Sequence, residues 1–196
     1  MELVYFGKTA KGPRARRRGA WNHSSSIYKA SIGAVCVDRA GAYQSVLNKQ
    51  IPKAAVVYDR FHLRLNLLDT VNEVRLQESK KATVEEKTFI KGSRFILLAN
   101  EENLNEEGSV RLVALQGVNE NITTAFFLKE QFRVVHTYPY PGSATKALMQ
   151  WCDRADDDRL SPFQRLLKSF RKQADKIVAF CIYHITSGII LRDLRT

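Results

Sequence analysis

The sequence contains few of the features that mark secreted, zinc-stabilised or membrane-spanning proteins. Its three cysteines, Cys36, Cys152 and Cys181, are widely spaced, form no CxxC pair and stand among apolar neighbours. Such cysteines are typical of reduced, buried side chains, which excludes a disulfide framework or a zinc set. No apolar run is long enough to cross a bilayer, and the N-terminus lacks the layout of a signal peptide. We therefore expect a cytoplasmic protein with no membrane partner.

The short motifs that identify many enzyme classes are also missing. The sequence has no glycine-rich phosphate loop, no GxSxG, no HExxH and no paired Cys/His metal spacing. These motifs therefore give no support to a P-loop NTPase, a serine hydrolase of the GxSxG type or a zinc protease.

The sequence does contain a large excess of positive charge. Its 31 Lys and Arg against 20 Asp and Glu give a formal net charge of +11 and a pI near 9.7. Such a surplus favours a polyanionic partner, nucleic acid before an anionic membrane. The basic tract near the N-terminus is typical of a solvated arm, and if it binds anything we expect phosphate backbone. The candidate DNA contacts are Arg16, Arg17, Arg18, Lys168, Arg171, Lys172 and Lys176.

Residues 32–81 show strands and helices in alternation. Short β-branched runs predict buried strands, and a β-α-β-α order implies parallel strands joined by a right-handed crossover. Pro52 ends the helix between the two strands, because its ring removes a backbone donor and disfavours helix before it. The predicted elements are strands at 32–37 and 54–58, helices at about 41–49 and 60–80, and an earlier short strand at 3–6.

Residues 82–183 predict an all-helical region, so the expected class is α/β followed by helices. Trp151, Tyr138 and Tyr140 could stack on bases, but burial in the helical core is the favoured interpretation. The predicted helices are at 105–116, 120–136, 142–155 and 162–183, after a segment at 84–99 that Gly92 makes doubtful as one unbroken helix.

Both predicted strands of the α/β region end in an aspartate, Asp38 or Asp59. In open α/β sheets, ligands bind outside the carboxyl ends of the strands, so either carboxylate could serve a site. Aspartate also caps helices well, and on pattern alone capping is favoured. Asp59 and His62 are three residues apart and could hydrogen-bond, ligate one metal, or form an N-cap with a polar neighbour.

A succession of phrases resembles the DDE transposases of bacterial insertion sequences, of the ISL-three type. The resemblance covers residues 32–188, in the order of the family. The phrases are AVCVDRAGAY, IPKAAVVYDRFHL, NEVRLQE, KGSRFILLANEENL, TAFFLKEQFR, MQWCDRA and HITSG.

The resemblance implies a ribonuclease-H-like core at 32–81 that is interrupted by a helical insertion at 82–183. It also implies DNA strand cleavage and transfer by three carboxylates that hold two Mg²⁺ or Mn²⁺ ions. Asp38 matches the second carboxylate of the family, and Asp59 and His62 are second-tier candidates for catalysis and metal binding.

The sequence departs from the family pattern at both ends. Glu2 is the only acid before Asp38, and Leu191 stands where the family has its third carboxylate, a glutamate. Asp193 is out of register by two. We therefore expect a truncated and inactive remnant with weak or no metal binding, a basic arm at 1–31 and an aberrant tail at 184–196.

The expected partners are DNA and, in addition, full-length transposase or further copies of the chain. The alternative function is that of a basic helical protein that binds DNA or a transposase without chemistry. Salt dependence would distinguish true phosphate binding from its absence.

Overall fold

The computed structural model describes residues 2–6, 32–38 and 47–185, which fall into two compact units. The first unit contains the described residues up to Arg64 and those from Asp175 onward, and the second is Leu65–Ala174. The predicted arm beyond residue 6, with Arg16, Arg17 and Arg18, lies outside the described residues, as do Leu191 and Asp193. The domain boundaries expected at 31, 81 and 183 stay predictions.

The first unit is built on a three-stranded parallel sheet in the order β1-β2-β3. Its strands are β1 (Glu2–Phe6), β2 (Ile32–Val37) and β3 (Ala55–Tyr58). Ala34, Val35 and Cys36 in β2 are fully buried, as expected for the central strand of a parallel sheet. The α/β class, with a small parallel sheet and mostly helices elsewhere, is thus confirmed at that level.

Pro52 limits the helical segment before β3, as predicted. Residues 47–50 are helical, Ile51 N–H still donates to the carbonyl of Leu47 at 2.9 Å, and a turn follows. The predicted start of this helix, at 41–46, lies outside the described residues. The helix after β3, α1 (Arg60–Lys81), buries Leu63, Leu67, Val71 and Val74, whereas Leu76 in the same helix is exposed.

The second unit contains most of the described helices. They are residues 65–81 of α1, then α2 (Val84–Ile90), α3 (Arg94–Leu98), α4 (Glu106–Val118), α5 (Glu120–Val135), α6 (Pro141–Asp157) and α7 (Ser161–Lys172). Gly92 separates α2 from α3 with a φ of +77°, a conformation that glycine adopts without strain. The prediction that Gly92 interrupts a single helix over 84–99 is thus confirmed.

The prediction of one helix over 162–183 is wrong. The chain forms α7, then α8 (Ala174–Val178) and α9 (Phe180–Tyr183). Gln173 leaves the helical region with φ −118° and ψ 19°, and His184 ends α9 in the left-handed region with φ 50°. The apolar spacing continues across the breaks, so periodicity alone could not show them.

An aromatic cluster forms the core of the second unit. Trp151 packs on Phe132 and Phe170, with ring centroids 4.9 and 5.9 Å away, and its indole N–H donates to the carbonyl of Leu128 at 2.8 Å. The predicted burial of Trp151 is confirmed. The same prediction is wrong for Tyr138 and Tyr140, whose side chains are exposed at 37% and 71%.

A buried lysine joins α3 to α5 within the second unit. Lys129 is only 3% exposed, and its ammonium donates to the carbonyl of Leu97 at 3.0 Å and to that of Ala99. It also pairs with Glu130 at 2.7 Å and lies 4.1 Å from the ring centre of Phe126. The last carbonyls of a helix have no N–H partner within the helix. Here the carbonyls of Leu97 and of Ala99, which follows α3, accept hydrogen bonds from the Lys129 side chain instead.

Candidate active site

The parallel register brings Asp38 and Asp59 to the same edge of the sheet. Val37 and Tyr58 are the last paired residues of β2 and β3, and the N–H of Asp59 donates to the carbonyl of Val37 at 3.0 Å. Asp38 and Asp59 follow these residues directly. The two aspartates therefore leave neighbouring strands side by side at the carboxyl edge, where open α/β sheets bind ligands.

Asp59 serves as a helix cap and keeps one carboxylate oxygen unsatisfied. Its side chain is fully buried, and its Oδ1 accepts from the N–H of Phe61 at 3.2 Å, near the start of α1. Its Oδ2 is buried and has no hydrogen-bond partner in the described part of the chain. A buried carboxylate oxygen without a donor is costly and calls for an explanation, such as a bound ion. Asp38 is half-buried.

The other predicted donor, His62, lies on the first turn of α1 and is half-buried. Its ring contacts that of Phe61 edge-on, with centroids 5.5 Å apart. Among the described residues, no group of three or more His, Cys, Asp and Glu side chains could hold a metal ion.

Cys36 lies beneath this edge and is not suited to nucleophilic chemistry. Burial raises the pKa of its thiol well above the ordinary range, and the negative charge of Asp59 raises it further. The thiol therefore stays protonated at neutral pH, whereas a nucleophilic cysteine needs a thiolate. All three cysteines are free and buried, as predicted.

The carboxyl edge also holds a contact that the sequence did not suggest. The guanidinium of Arg60 lies over the ring of Phe180 in α9, 3.8 Å from its centre. Burial lowers the pKa of Arg60, and Asp59 and Cys181 act in the opposite direction. Arg60 and Phe180 are far apart in the chain and share no spacing pattern, so no sequence signal links them.

The predicted phosphate contacts near the end of the second unit differ in their surroundings. Arg171 donates to Asp153 at 2.9 Å and to Asp156 at 2.8 Å, which neutralises much of its charge. Lys168 and Lys172 are exposed on the same helix. Lys176, which belongs to the first unit, has its ammonium 5.8 Å from the ring centre of Tyr58.

Nearly all of the excess positive charge lies outside residues 65–174. Residues 65–174 carry 16 Lys and Arg against 15 Asp and Glu, whereas the remaining residues carry 15 against 5. The helical unit is therefore almost neutral, and an electrostatic attraction to a polyanion would come from the other residues.

Comparisons with known proteins agree on one family. A family model described as a transposase, of the ISL-three DDE type, matches residues 14–190. The chain is 25% identical over 162 residues to the transposase for insertion sequence element IS1001 of Bordetella parapertussis, which covers 81% of this chain and 40% of that protein. The chain thus spans about two fifths of the length of this relative. No solved structure matches it. None of the described helices is long and apolar enough to cross a membrane.

Proposed function

This chain belongs to the ISL-three family of DDE transposases, and from that premise we propose that it is part of the catalytic domain of an insertion-sequence transposase. The observation that carries the proposal is the position of Asp38 beside Asp59 at the carboxyl edge of the parallel sheet. The sheet would be the ribonuclease-H-like core and residues 82–183 the helical insertion. The substrate is DNA, which the family cuts and joins.

The residues at this edge fit a hard divalent cation, Mg²⁺ or Mn²⁺. Such ions prefer carboxylate oxygens, and the unsatisfied Oδ2 of Asp59 lies next to the strand end that carries Asp38. Asp38 would hold the ion with Asp59, and His62 is a further candidate donor. When bound, the cation would stabilise the charge that develops on phosphodiester oxygens.

We further propose that this chain does not cut DNA by itself. Leu191, at the position of the third carboxylate, has no side-chain atom that can bind a metal ion. Glu2 cannot stand in for the first carboxylate, since it pairs with Ile32 at the opposite end of the parallel sheet. At the usual rise per residue, that end is about 20 Å from Asp38. Two carboxylates are too few for the two-ion chemistry of the family.

The proposal is tested by measuring metal binding and DNA cleavage on the same preparation. We expect weak Mn²⁺ binding by electron paramagnetic resonance, lost in Asp38→Asn, reduced in Asp59→Asn and unchanged in the control Asp69→Asn on the exposed side of α1. We expect no nicking of supercoiled plasmid with Mg²⁺ or Mn²⁺.

Either measurement can contradict the proposal. Mn²⁺ binding that Asp38→Asn leaves intact would refute the metal site. Metal-dependent nicking that disappears in Asp38→Asn would show that the chain is active, and would refute the claim of inactivity alone.

A second candidate function is DNA binding without chemistry, and the charge distribution favours it. The surplus charge lies outside residues 65–174, whereas the cations of α7 are partly neutralised, Arg165 by Glu73 at 2.7 Å and Arg171 by its two aspartates. We therefore expect Arg16, Arg17 and Arg18 to contribute more than α7. Association with full-length transposase or with further copies stays a prediction.

Fluorescence anisotropy with duplex DNA over a salt series tests this ranking. The logarithm of the affinity falls linearly with the logarithm of the salt concentration, and each lost phosphate contact makes this slope shallower by about 0.9. Alanine at the three arm arginines should lower the slope by about 2 to 3 on that scale. Alanine at Lys168 and Lys172, a matched surface control, should lower it by less than about 1. Equal effects would contradict the ranking, and salt-independent binding would contradict the function.

A further inference from the structure

We propose that Arg60 is a positioning residue that holds α9 at the carboxyl edge of the sheet. The inference rests on the proposed function, in which the third carboxylate of the family follows the Thr186-Ser187-Gly188 phrase. That phrase comes directly after α9 and Ile185. The placement of α9 therefore fixes where Ile185, the last described residue before that phrase, lies relative to Asp38 and Asp59.

The segment that contains α9 cannot fix its own position. α9 has only four residues, and a helix this short is not stable without tertiary contacts. Phe180, Cys181 and Ile185 are all more than nine-tenths buried. Their burial anchors the segment, and His184 turns the chain away from the helix with a φ of 50°.

Arg60 provides the polar part of this anchor. Its guanidinium covers the Phe180 ring at 3.8 Å, a distance typical of a stacked cation–π pair. Asp59, which precedes Arg60, caps the first turn of α1 through Phe61 and bonds to β2 through its own N–H. The backbone that carries Arg60 is thus fixed to the same strand ends as the two aspartates.

This geometry favours positioning over direct DNA contact. One face of the guanidinium is occupied by the Phe180 ring, and the group is only partly exposed. Arginine remains protonated in proteins, so its charge is retained in this contact. A planar guanidinium stacks on an aromatic ring better than a lysine ammonium does, so the two residues are not equivalent here.

Cys181 offers a direct readout of whether α9 is held in place. It is buried beside the contact, and burial raises the pKa of its thiol. Release of α9 would expose Cys181, while Cys36 in the sheet and Cys152 in the second unit would stay protected. Iodoacetamide alkylation of the whole chain, quantified at each cysteine by peptide mass spectrometry, separates local release from general unfolding.

We expect Arg60→Ala to raise the alkylation rate of Cys181 about tenfold. The free energy that corresponds to this factor lies within the range of partly desolvated cation–π contacts. Cys36 and Cys152 should change by less than about twofold, because the units that hold them stay folded. Arg60→Lys should restore part of the protection, and Phe180→Leu should raise the rate like Arg60→Ala. The double variant should add little. The control Lys53→Ala, in the exposed turn before β3, should have no effect.

Two results would overturn the proposal. One is an unchanged Cys181 rate in Arg60→Ala and Phe180→Leu. The other is an equal rise at all three cysteines in Arg60→Ala and Arg60→Lys alike, which would make Arg60 a general stability residue. The assay uses neither metal nor DNA. Failure of Mn²⁺ binding would therefore count against the transposase proposal and leave this readout unchanged.

Discussion

Replacement of Lys129 by methionine should be among the most damaging single changes in the helical unit. Methionine keeps most of the side-chain volume and lacks the ammonium. The ammonium now serves the carbonyls of Leu97 and Ala99 and the carboxylate of Glu130. Without it, two backbone acceptors at the end of α3 lose a donor and Glu130 loses its nearest cation.

The size of the loss in stability follows from the buried groups that Lys129→Met would leave without a partner. A buried acceptor without a donor costs about 1–3 kcal/mol. Removal of one partner from a buried ion pair costs about 3–5 kcal/mol. These terms overlap at one site, so we expect Lys129→Met to lower the free energy of unfolding by about 3–5 kcal/mol.

Urea denaturation followed by circular dichroism and tryptophan fluorescence measures this loss. The free energy of unfolding falls linearly with urea concentration, and with the slope typical of a domain of this size the urea midpoint should fall by about 2 M. Lys146→Met is the matched control, because Lys146 is exposed on α6, and it should change the stability by less than about 0.5 kcal/mol. A loss below about 1 kcal/mol for Lys129→Met would refute the claim that the ammonium is needed by both carbonyls.

Two further predictions concern the same unit. Gly92→Ala should destabilise by about 1–2 kcal/mol, because a left-handed residue gains a Cβ, here 3.3 Å from Nη2 of Arg111. Gly117→Ala in α4 should instead stabilise the protein by about 0.5–1 kcal/mol in thermal melts, because its Cβ would meet nothing within 4 Å. A stability change of the same sign in both variants would contradict this reasoning. Burial pushes the pKa of Glu130 up, but hydrogen bonds from Lys129 and Arg133 outweigh it, so the pKa lies below its ordinary 4.5. The stability that Glu130 contributes is thus present above that value and lost as the pH falls through the lowered pKa. Glu130→Gln should flatten the acid side of a plot of unfolding free energy against pH, and an unchanged plot would exclude this role.

The elements that could be predicted from sequence are those with a strong local pattern. Strands at 32–37 and 54–58 and the helix from residue 60 were visible because burial imposes β-branched runs or helical spacing on the sequence. Asp38 and Asp59 could be placed at strand ends for the same reason. Their adjacency required the register between β2 and β3, which depends on tertiary pairing.

The features that could not be predicted depend on contacts between distant residues. Lys129 appears in the sequence as one more charged residue of an amphipathic helix, and its burial follows from the position of the end of α3. The contact between Arg60 and Phe180 likewise has no local signal. The break at Gln173 is visible only in its backbone angles, because the apolar spacing of the sequence continues across it.

The uneven charge distribution has a consequence for how copies of the chain meet. Residues 65–174 carry a surplus of 1 positive charge, and the rest of the sequence carries a surplus of 10. Like charges oppose self-association, whereas a nearly neutral surface does not. Free copies would therefore be kept apart mainly by the charges outside residues 65–174. A polyanion such as DNA that neutralises those charges would remove that repulsion, so it would lower the concentration at which the chains associate.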